Sequence, residues 1–138
     1  MRTLAIIYAS VIFFAFLFAG CNPANEISEL QVKKLDYPSA SAIEYYDGKL
    51  YIMGDDAVNL LILDTSLNIL DSITVVDYPA KRIPKDIKPD FEAATLIADG
   101  LLLFGSGSLS PYRNLGWMCN LSELENEGYE TNLELLYS

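Results

Sequence analysis

The sequence has no histidine, only two cysteines, and 9 lysine and arginine residues against 19 aspartates and glutamates. Without histidine, Ser-His-Asp and Cys-His nucleophilic sites, histidine acid-base catalysis and the usual zinc sites with a histidine ligand are excluded. The formal net charge of −10 repels nucleic acid and anionic lipid headgroups, so we expect neither as a partner. An acidic surface suits divalent cations or basic partners, and the alternative is that the charge only keeps the protein soluble.

What is present begins with an export signal. Arg2 precedes an apolar run from Leu4 to Ala19, and Gly20 and Cys21 follow. A charged start, an apolar middle and small residues at the cleavage site are the parts of such a signal. The pattern predicts a bacterial lipoprotein signal peptide over residues 1–20 and lipidation of Cys21. An uncleaved membrane anchor is the alternative, although the run is just short of the roughly 17 to 25 apolar residues of a spanning helix.

Either reading places the chain in the bacterial cell envelope, held to a membrane and facing the periplasm or the exterior. If Cys21 carries lipid, Cys119 is left alone and no internal disulfide can form. Cys119 lies in an apolar segment without a basic neighbour, which indicates a buried, inert thiol. Residues 21–36 are polar and weakly patterned, so we interpret them as a tether to one domain over residues 37–138.

Short apolar runs separated by turn signals begin at Ser39 and predict strands. Segments 41–46 and 49–53 flank Asp47-Gly48, a dipeptide that favours a tight hairpin turn. Val58–Asp64 reads as a buried strand and Ile69–Val76 as an alternating one. The sequence therefore predicts four consecutive antiparallel strands.

The same order then starts again. Asp99-Gly100 lies 52 positions after Asp47-Gly48, and Gly105 lies 51 positions after Gly54. Further strands are predicted at 115–121 and 129–137. A repeat of about 40 to 50 residues with four strands is typical of a β-propeller blade. We therefore predict an all-β fold with two blades of an incomplete propeller after the signal helix: blade one at about 39–78, a connector at 79–90 and blade two at about 91–138. A small β-sandwich is the alternative.

Four segments carry a family resemblance: Pro38–Tyr45, Tyr51–Asp56, the connector Arg82–Ala93 and Phe104–Ser108. They resemble a family of uncharacterised bacterial secreted or lipid-anchored β-propeller proteins, which is distantly similar to the esterase-like phytase domain. The resemblance implies a propeller fold and transfers no catalytic residue. Because propellers close with about four to eight blades, we expect a truncated piece of a longer protein. The alternative is a small protein whose blades assemble with other copies.

Four carboxylates are candidate metal ligands. Glu44 and Glu92 fall in the first strands of the two predicted blades, and Asp55 and Asp56 follow a strand end, where propeller loops collect. Clustered carboxylate oxygens suit a hard cation such as Ca²⁺, which could polarise a phosphate ester. Solvated or turn-capping acids are the structural alternative.

Basic residues form the other candidate site. Arg82, Lys85 and Lys88 lie in the predicted connector, and Arg113 lies in a later loop. Fixed positive charge in an acidic protein could bind an anionic ligand. The prolines of the connector favour a stiff, exposed link between blades instead.

Two classes of function follow. The first is a membrane-tethered binding or scaffold module with a protein or small-molecule partner that the sequence does not identify. The second is a metal-dependent phosphoesterase or esterase of the esterase-like phytase type, with Ca²⁺ as its cofactor. Because no complete catalytic signature is present, we favour the first and expect no enzymatic activity.

Overall fold

The computed structural model describes residues 31–122 and 128–137. The predicted signal peptide, Cys21 and most of the tether lie outside these residues. The described part is all-β apart from one short 3₁₀ helix. Its elements are β1 (Ala40–Tyr46), β2 (Lys49–Gly54), β3 (Asn59–Asp64), β4 (Ile69–Thr74), β5 (Phe91–Ile97), β6 (Gly100–Gly105), β7 (Leu115–Asn120), β8 (Tyr129–Asn132) and the 3₁₀ helix η1 (Glu134–Leu136).

The strands form two four-stranded antiparallel sheets. The first sheet has the order β1-β2-β3-β4 and the second the order β5-β6-β7-β8, so every strand pairs with its neighbours in sequence. The first strands of the two sheets, β1 and β5, contact each other, as the inner strands of adjacent propeller blades do. The predicted fold class is confirmed for the described residues. Among them, no helix is both long and apolar enough to cross a membrane.

The hairpin between β1 and β2 forms as the sequence predicts. Tyr46 and Lys49 are paired, which leaves Asp47 and Gly48 as the two turn residues. Both have positive φ, 46° and 75°, as a type I′ turn requires. This turn fits the right-handed twist of the strands that it joins.

The corresponding turn in the second sheet differs from the prediction. Gly100 pairs with both Ile97 and Asn120, so it is the first residue of β6 rather than a turn residue. The turn consists of Ala98 and Asp99, and Ala98 has a φ of 52°. The first two strands of the second sheet therefore follow those of the first sheet by 51 residues, from Ala40 to Phe91 and from Lys49 to Gly100. The third and fourth strands follow at larger offsets, 56 residues from Asn59 to Leu115 and 60 residues from Ile69 to Tyr129. The spacing of 52 between the two Asp-Gly pairs misses the 51-residue offset by one position, because Gly100 lies in β6 and not in the turn.

Backbone irregularities confirm the 51-residue period. Each first strand contains one extra residue in its pairing with the second strand, Ser41 in β1 and Glu92 in β5. Two positions earlier, Ser39 and Asp90 both have positive φ, 25° and 56°, a rare conformation for residues other than glycine. Equivalent positions thus share distortions as well as regular strand structure.

Two glycines at the ends of the second strands are required by a close approach of the backbone. A Cβ atom on Gly54 would lie 2.2 Å from the carbonyl oxygen of Pro38, and one on Gly105 would lie 2.8 Å from that of Pro89. Pro38 and Pro89 are themselves 51 positions apart. The segment entering each sheet therefore crosses the end of the second strand at a distance that only glycine allows.

The main core lies between the two sheets. Alternation along the strands directs one face of each sheet into it, and we call these the inner faces. The inner face of the first sheet consists of Tyr51, Met53, Leu60 and Ile62, and that of the second sheet consists of Leu101, Leu103, Trp117 and Cys119. All eight are buried, so this apolar contact holds the sheets together.

The opposite sides of the sheets are called the outer faces. On the first sheet, Ile52, Leu61 and Leu63 are buried beneath the segment that precedes β1, with Leu35, Tyr37, Leu50 and Leu67 packed against them. On the second sheet, the register places Ile97, Leu102, Phe104, Met118 and Tyr129 on the outer face. These five residues are half-buried or exposed.

The last strand is shorter than predicted. β8 ends at Asn132, and η1 occupies part of the stretch to Tyr137 that the sequence pattern assigned to a strand. The Asn132 side-chain oxygen accepts a hydrogen bond from the Glu134 backbone N–H at 2.7 Å. This local turn competes with continued strand pairing, which explains where β8 stops.

Candidate functional site

The candidate site lies at the end of the sheets opposite the hairpin turns. Here the loop after β2, the segment entering β5 and the loop after β6 converge. We call the group the strand-end cluster, and its members are Asp55, Lys88, Asp90, Glu92, Ser106 and Arg113. Gly54 and Gly105 allow the chain to pass closely at this end, which brings the polar side chains together.

Lys88 lies at the centre of the cluster. Its ammonium group forms ion pairs with Asp55 and Asp90, and its side chain is only 11% exposed. Burial by itself would lower the pKa of Lys88, but hydrogen bonds to the two carboxylates and their charges raise it above its usual value. Lys88 is therefore a fixed cation that joins the loop after β2 to the segment entering β5.

Asp90 receives three partners. Besides Lys88, Arg113 Nη1 lies 2.9 Å from its Oδ2 atom, and the Ser106 hydroxyl donates to the same atom at 2.7 Å. Burial alone would raise the pKa of Asp90, but hydrogen bonds from Lys88 and Ser106 and the two positive charges hold it below its usual value. Asp90 is thus a buried carboxylate that is ionised and fully engaged.

Arg113 ties a third segment to the same point. Its guanidinium also donates to the Ser108 hydroxyl at 2.8 Å and to the Lys85 carbonyl oxygen at 2.9 Å. Ser106 and Ser108 are hydrogen-bonded to each other at 2.8 Å. The loop after β6 is therefore held to the connector.

A second ion pair lies near the cluster. Arg82 Nη2 is 2.8 Å from Asp56 Oδ2, and it also donates to the Ser39 hydroxyl at 2.7 Å. The hydrogen bond and the charge of Asp56 raise the pKa of Arg82. This pair fastens the connector to the first sheet.

The four predicted metal ligands fall in three places. Asp55 and Glu92 come together with Asp90, and one ligand oxygen from each lies within 4.8 Å of the others. Asp56 is engaged by Arg82, and Glu44 lies in the middle of β1 outside this group. Glu44 and Glu92 are not equivalent, because the 51-residue period aligns Glu92 with the bulge residue Ser41.

Asp90 is the member of the group that the sequence reasoning missed. A signal existed, since alignment at 51 residues places Lys88-Pro89-Asp90 over Tyr37-Pro38-Ser39. The second repeat has the charged residues Lys88 and Asp90 where the first has Tyr37 and Ser39. Charged residues at this point, just before the first strand of a sheet, indicate a polar site.

The predicted anion-binding residues are mostly paired with carboxylates. Arg82, Lys88 and Arg113 each form at least one ion pair. Within residues 31–122 and 128–137, Lys85 is the one of the four whose side chain forms no ion pair. An anion at this end of the sheets would have to compete with Asp55, Asp56 and Asp90.

The chemistry of the cluster follows from these pairs. Lys88 takes the position among the carboxylates that a bound cation would need, and it already neutralises much of their charge. Asp55 keeps one buried carboxylate oxygen without a hydrogen-bond partner. The cluster can stabilise the junction of three segments, and Glu92, which is exposed, is its free carboxylate edge.

A different kind of surface lies on the outer face of the second sheet. A groove of about 410 Å³ is lined there by Ile97, Met118 and Tyr129, with Asp99 and Asn120 at its polar edge. Ile97 is 54% exposed and Tyr129 56%. Exposed apolar side chains around a groove are typical of a binding surface.

Cys119 offers no reactive thiol. It is buried in the inner face of the second sheet, and burial raises its pKa to about 11. Since the thiolate is the nucleophile, this thiol is inert at neutral pH.

The fold and the strand-end cluster define an all-β protein built from a repeated four-stranded sheet with polar junctions at one end. The chain belongs to a family of unknown function, DUF6929, whose model matches residues 36–138. This result confirms that the family is uncharacterised, and it gives no support to the lipoprotein assignment or to the expected similarity to the esterase-like phytase domain. No curated protein and no solved structure matches the chain.

Proposed function

We propose that this protein is a binding or scaffold module of the bacterial cell envelope, tethered to a membrane by lipid on Cys21. In this proposal the two-sheet domain presents an apolar surface to a partner. The anchor rests on the charged, apolar and small-residue order of residues 1–21.

The observation that carries the proposal is the contrast between the two surfaces of the described residues. At the strand ends, Lys88, Asp90 and Arg113 are engaged with one another, which suits a structural junction. On the outer face of the second sheet, by contrast, apolar side chains surround an open groove. Binding through this apolar face agrees with the absence of histidine from the sequence.

Metabolic labelling with an alkyne palmitate tests the anchor. We expect label on the wild-type protein and none on a Cys21→Ser variant, which should also stay unprocessed. Cys119→Ser is the matched control and should label normally, because Cys119 is buried. Label retained on Cys21→Ser, or absent from the wild type, would contradict the lipid anchor.

A second candidate function is a Ca²⁺-dependent phosphoesterase or esterase of the esterase-like phytase type. The grouping of Asp55, Asp90 and Glu92 is the observation that favours it, since hard cations take carboxylate oxygens. The Lys88 ammonium between two of these carboxylates argues against it.

Calcium titration separates the two functions. The binding-module proposal expects no rise in melting temperature with Ca²⁺ and no hydrolysis of aryl phosphates. A calcium-dependent rise that is lost in Glu92→Gln and kept in the control Glu44→Gln, together with hydrolysis, would establish the enzyme instead.

A further inference from the structure

A cavity of about 170 Å³ lies on the outer face of the first sheet, where the segment that precedes β1 and the connector cover the sheet. Tyr37 of the first segment and Lys81 of the connector are among the residues that line it. The covering segments therefore leave a space above the sheet. An engineered protein cavity of about 150 Å³ binds benzene, so this space has the size of a small organic molecule.

The floor of the cavity follows from the strand register. Leu61 pairs with Ser72 across β3 and β4, and strand alternation places Asn59 on the same face as Leu61. Ala57 and Leu61 also line the cavity, and they are only 1% and 7% exposed. The buried part of the lining is thus apolar and suits a hydrocarbon group, because a charge placed there would lose its hydration.

Two polar side chains of the lining are available to a ligand. Asn59 is half-buried and Ser72 is exposed. Among the residues that the structure describes, neither the Asn59 side-chain amide nor the Ser72 hydroxyl forms a hydrogen bond. Each of these groups can both donate and accept, so they can bind either kind of polar atom.

An ion pair lies at the solvent side of the cavity. Lys81 Nζ is 2.6 Å from Asp36 Oδ2, and the two side chains are 56% and 101% exposed. Both residues line the cavity. Exposed ion pairs contribute at most about 1 kcal/mol. A ligand can therefore separate this pair at little cost and take each partner for itself.

The two charges determine which ligand the cavity suits. An anion would pair with Lys81 and be repelled by Asp36, whereas a cation would pair with Asp36 and be repelled by Lys81. A molecule with both an ammonium and a carboxylate group pairs with both residues. Because Lys81 and Asp36 are in contact, the two groups of the ligand must lie close together, as they do on one carbon atom. Such a molecule is neutral, so the net charge of −10 does not repel it.

From these features we propose that the cavity binds a free α-amino acid with an aliphatic side chain of about the size of leucine. Its carboxylate pairs with Lys81 and its ammonium group with Asp36, while its side chain packs against Leu61. Asn59 and Ser72 bind the remaining polar atoms. The site is separate from the strand-end cluster and from the outer face of the second sheet, so it goes beyond the proposed scaffold function.

Calorimetric titration of the full chain in detergent with L-leucine tests the site. Two analogues each lack one charge: 4-methylpentanoate has no ammonium group, and 3-methylbutylamine has no carboxylate. We expect L-leucine to bind and each analogue to bind about tenfold more weakly or less, since a hydrogen bond to a charged group is lost. Glycine has no side chain to fill the cavity and L-tryptophan has one that is too large, so both should bind more weakly than L-leucine.

Variants locate the site. Lys81→Met and Asp36→Asn each remove one charge at the solvent side, and each should weaken L-leucine binding about tenfold. Lys34→Met removes a charge at an exposed residue outside the cavity, and it should leave binding unchanged. Ser72→Phe fills the cavity from an exposed strand position and should abolish binding. Far-ultraviolet circular dichroism should show a native sheet in all four variants.

Three results would overturn the inference. The first is no binding of L-leucine up to the millimolar range. The second is an analogue that binds as tightly as L-leucine, which would identify a site for an anion or a cation instead. The third is binding that Lys81→Met and Asp36→Asn leave unchanged, which would place the ligand elsewhere. None of these results affects palmitate labelling of Cys21, so the anchor and the amino-acid site can fail separately.

Discussion

The segments that lead into the first strand of each sheet follow the same backbone path but carry different side chains. In the first sheet, the Tyr37 hydroxyl donates to the Asn59 carbonyl oxygen at 2.6 Å and accepts from the Gly54 N–H at 3.1 Å. In the second, Lys88 occupies the equivalent position and forms ion pairs with Asp55 and Asp90. The shared path is fixed by proline, a positive φ and glycine, so the side chain at this position is free to vary.

The difference shows what each position contributes. Tyr37 stabilises its own sheet, because its partners all belong to the first sheet. Lys88 reaches out of its sheet to Asp55 at the end of β2, so it joins the two repeats. The neutral Tyr37 hydroxyl forms hydrogen bonds within one repeat, whereas the ion pairs of Lys88 connect one repeat to the other.

The largest effect is expected for breaking the contact between the sheets. Leu103→Ala should lower the free energy of unfolding by about 3 kcal/mol, within the usual range for a fully buried leucine, since Leu103 is 0% exposed. Its neighbour Leu102 on the outer face is the matched control, and Leu102→Ala should cost less than half as much. Urea unfolding at high dilution measures both, and equal losses would contradict the assignment of the two faces.

Removing the ion pairs should have the next largest effect. Lys88→Met leaves Asp55 and Asp90 without their cation, which should cost about 3 kcal/mol, the lower end for one partner of a buried pair because Asp55 is partly exposed. Lys85→Met, in the same connector, should change stability by less than about 0.5 kcal/mol. Thermal unfolding compares the two, and a stable Lys88→Met variant would show that the network does not hold the repeats together.

The Tyr37 hydroxyl, the counterpart of Lys88 in the first sheet, provides the third test. Tyr37→Phe leaves the Asn59 carbonyl oxygen without this donor and should cost about 1 to 2 kcal/mol. Burial raises the pKa of Tyr37 to about 12, so the wild-type hydroxyl stays protonated and can donate at every pH up to strong alkali. Tyr45→Phe, at an exposed tyrosine, is the control and should be neutral. A loss as large as that of Lys88→Met would remove the proposed distinction between the two entry segments.

The smallest expected effect is the loss, at low pH, of the stabilisation that ionised Asp90 contributes. The pKa of Asp90 is lower in the folded protein than the unfolded value of about 3.9. Its contribution is therefore present above about pH 4 and is lost as the pH falls through the folded value. Asp90→Asn should be less stable than wild type at neutral pH, and the gap between them should narrow in acid. Unfolding curves at several pH values measure the gap, and a constant gap would contradict an ionised Asp90.

Much of the fold could be predicted because its signals are local. The Asp47-Gly48 turn follows from the φ preferences of two adjacent residues, and the strands follow from short apolar runs. The register of the second hairpin could not be predicted in this way, because Asp99-Gly100 carries the same dipeptide one position out of place. Only the pairing of Gly100 with two neighbouring strands places it in β6.

The candidate site was predictable only in part for a related reason. The position of Asp55 at a strand end and the charge of Lys88 in the connector marked these two residues. Arg113 was marked as a basic residue in a later loop. Their pairing joins residues 33 apart in one case and needs the crossing of two chain segments at Gly54 and Gly105. Contacts between residues so far apart in the sequence cannot be predicted from local sequence patterns.

The sequence by itself determined the strand content, the repeat and the acidic, histidine-free chemistry, because each depends on residue type and local spacing. The tertiary structure decided which face of the second sheet is buried and which charges are neutralised. Strand alternation gives the second sheet two apolar faces, and only its packing on the first sheet determines which of them is buried. Hence Leu103 is buried while Leu102, its neighbour on the same strand, lies on the open surface.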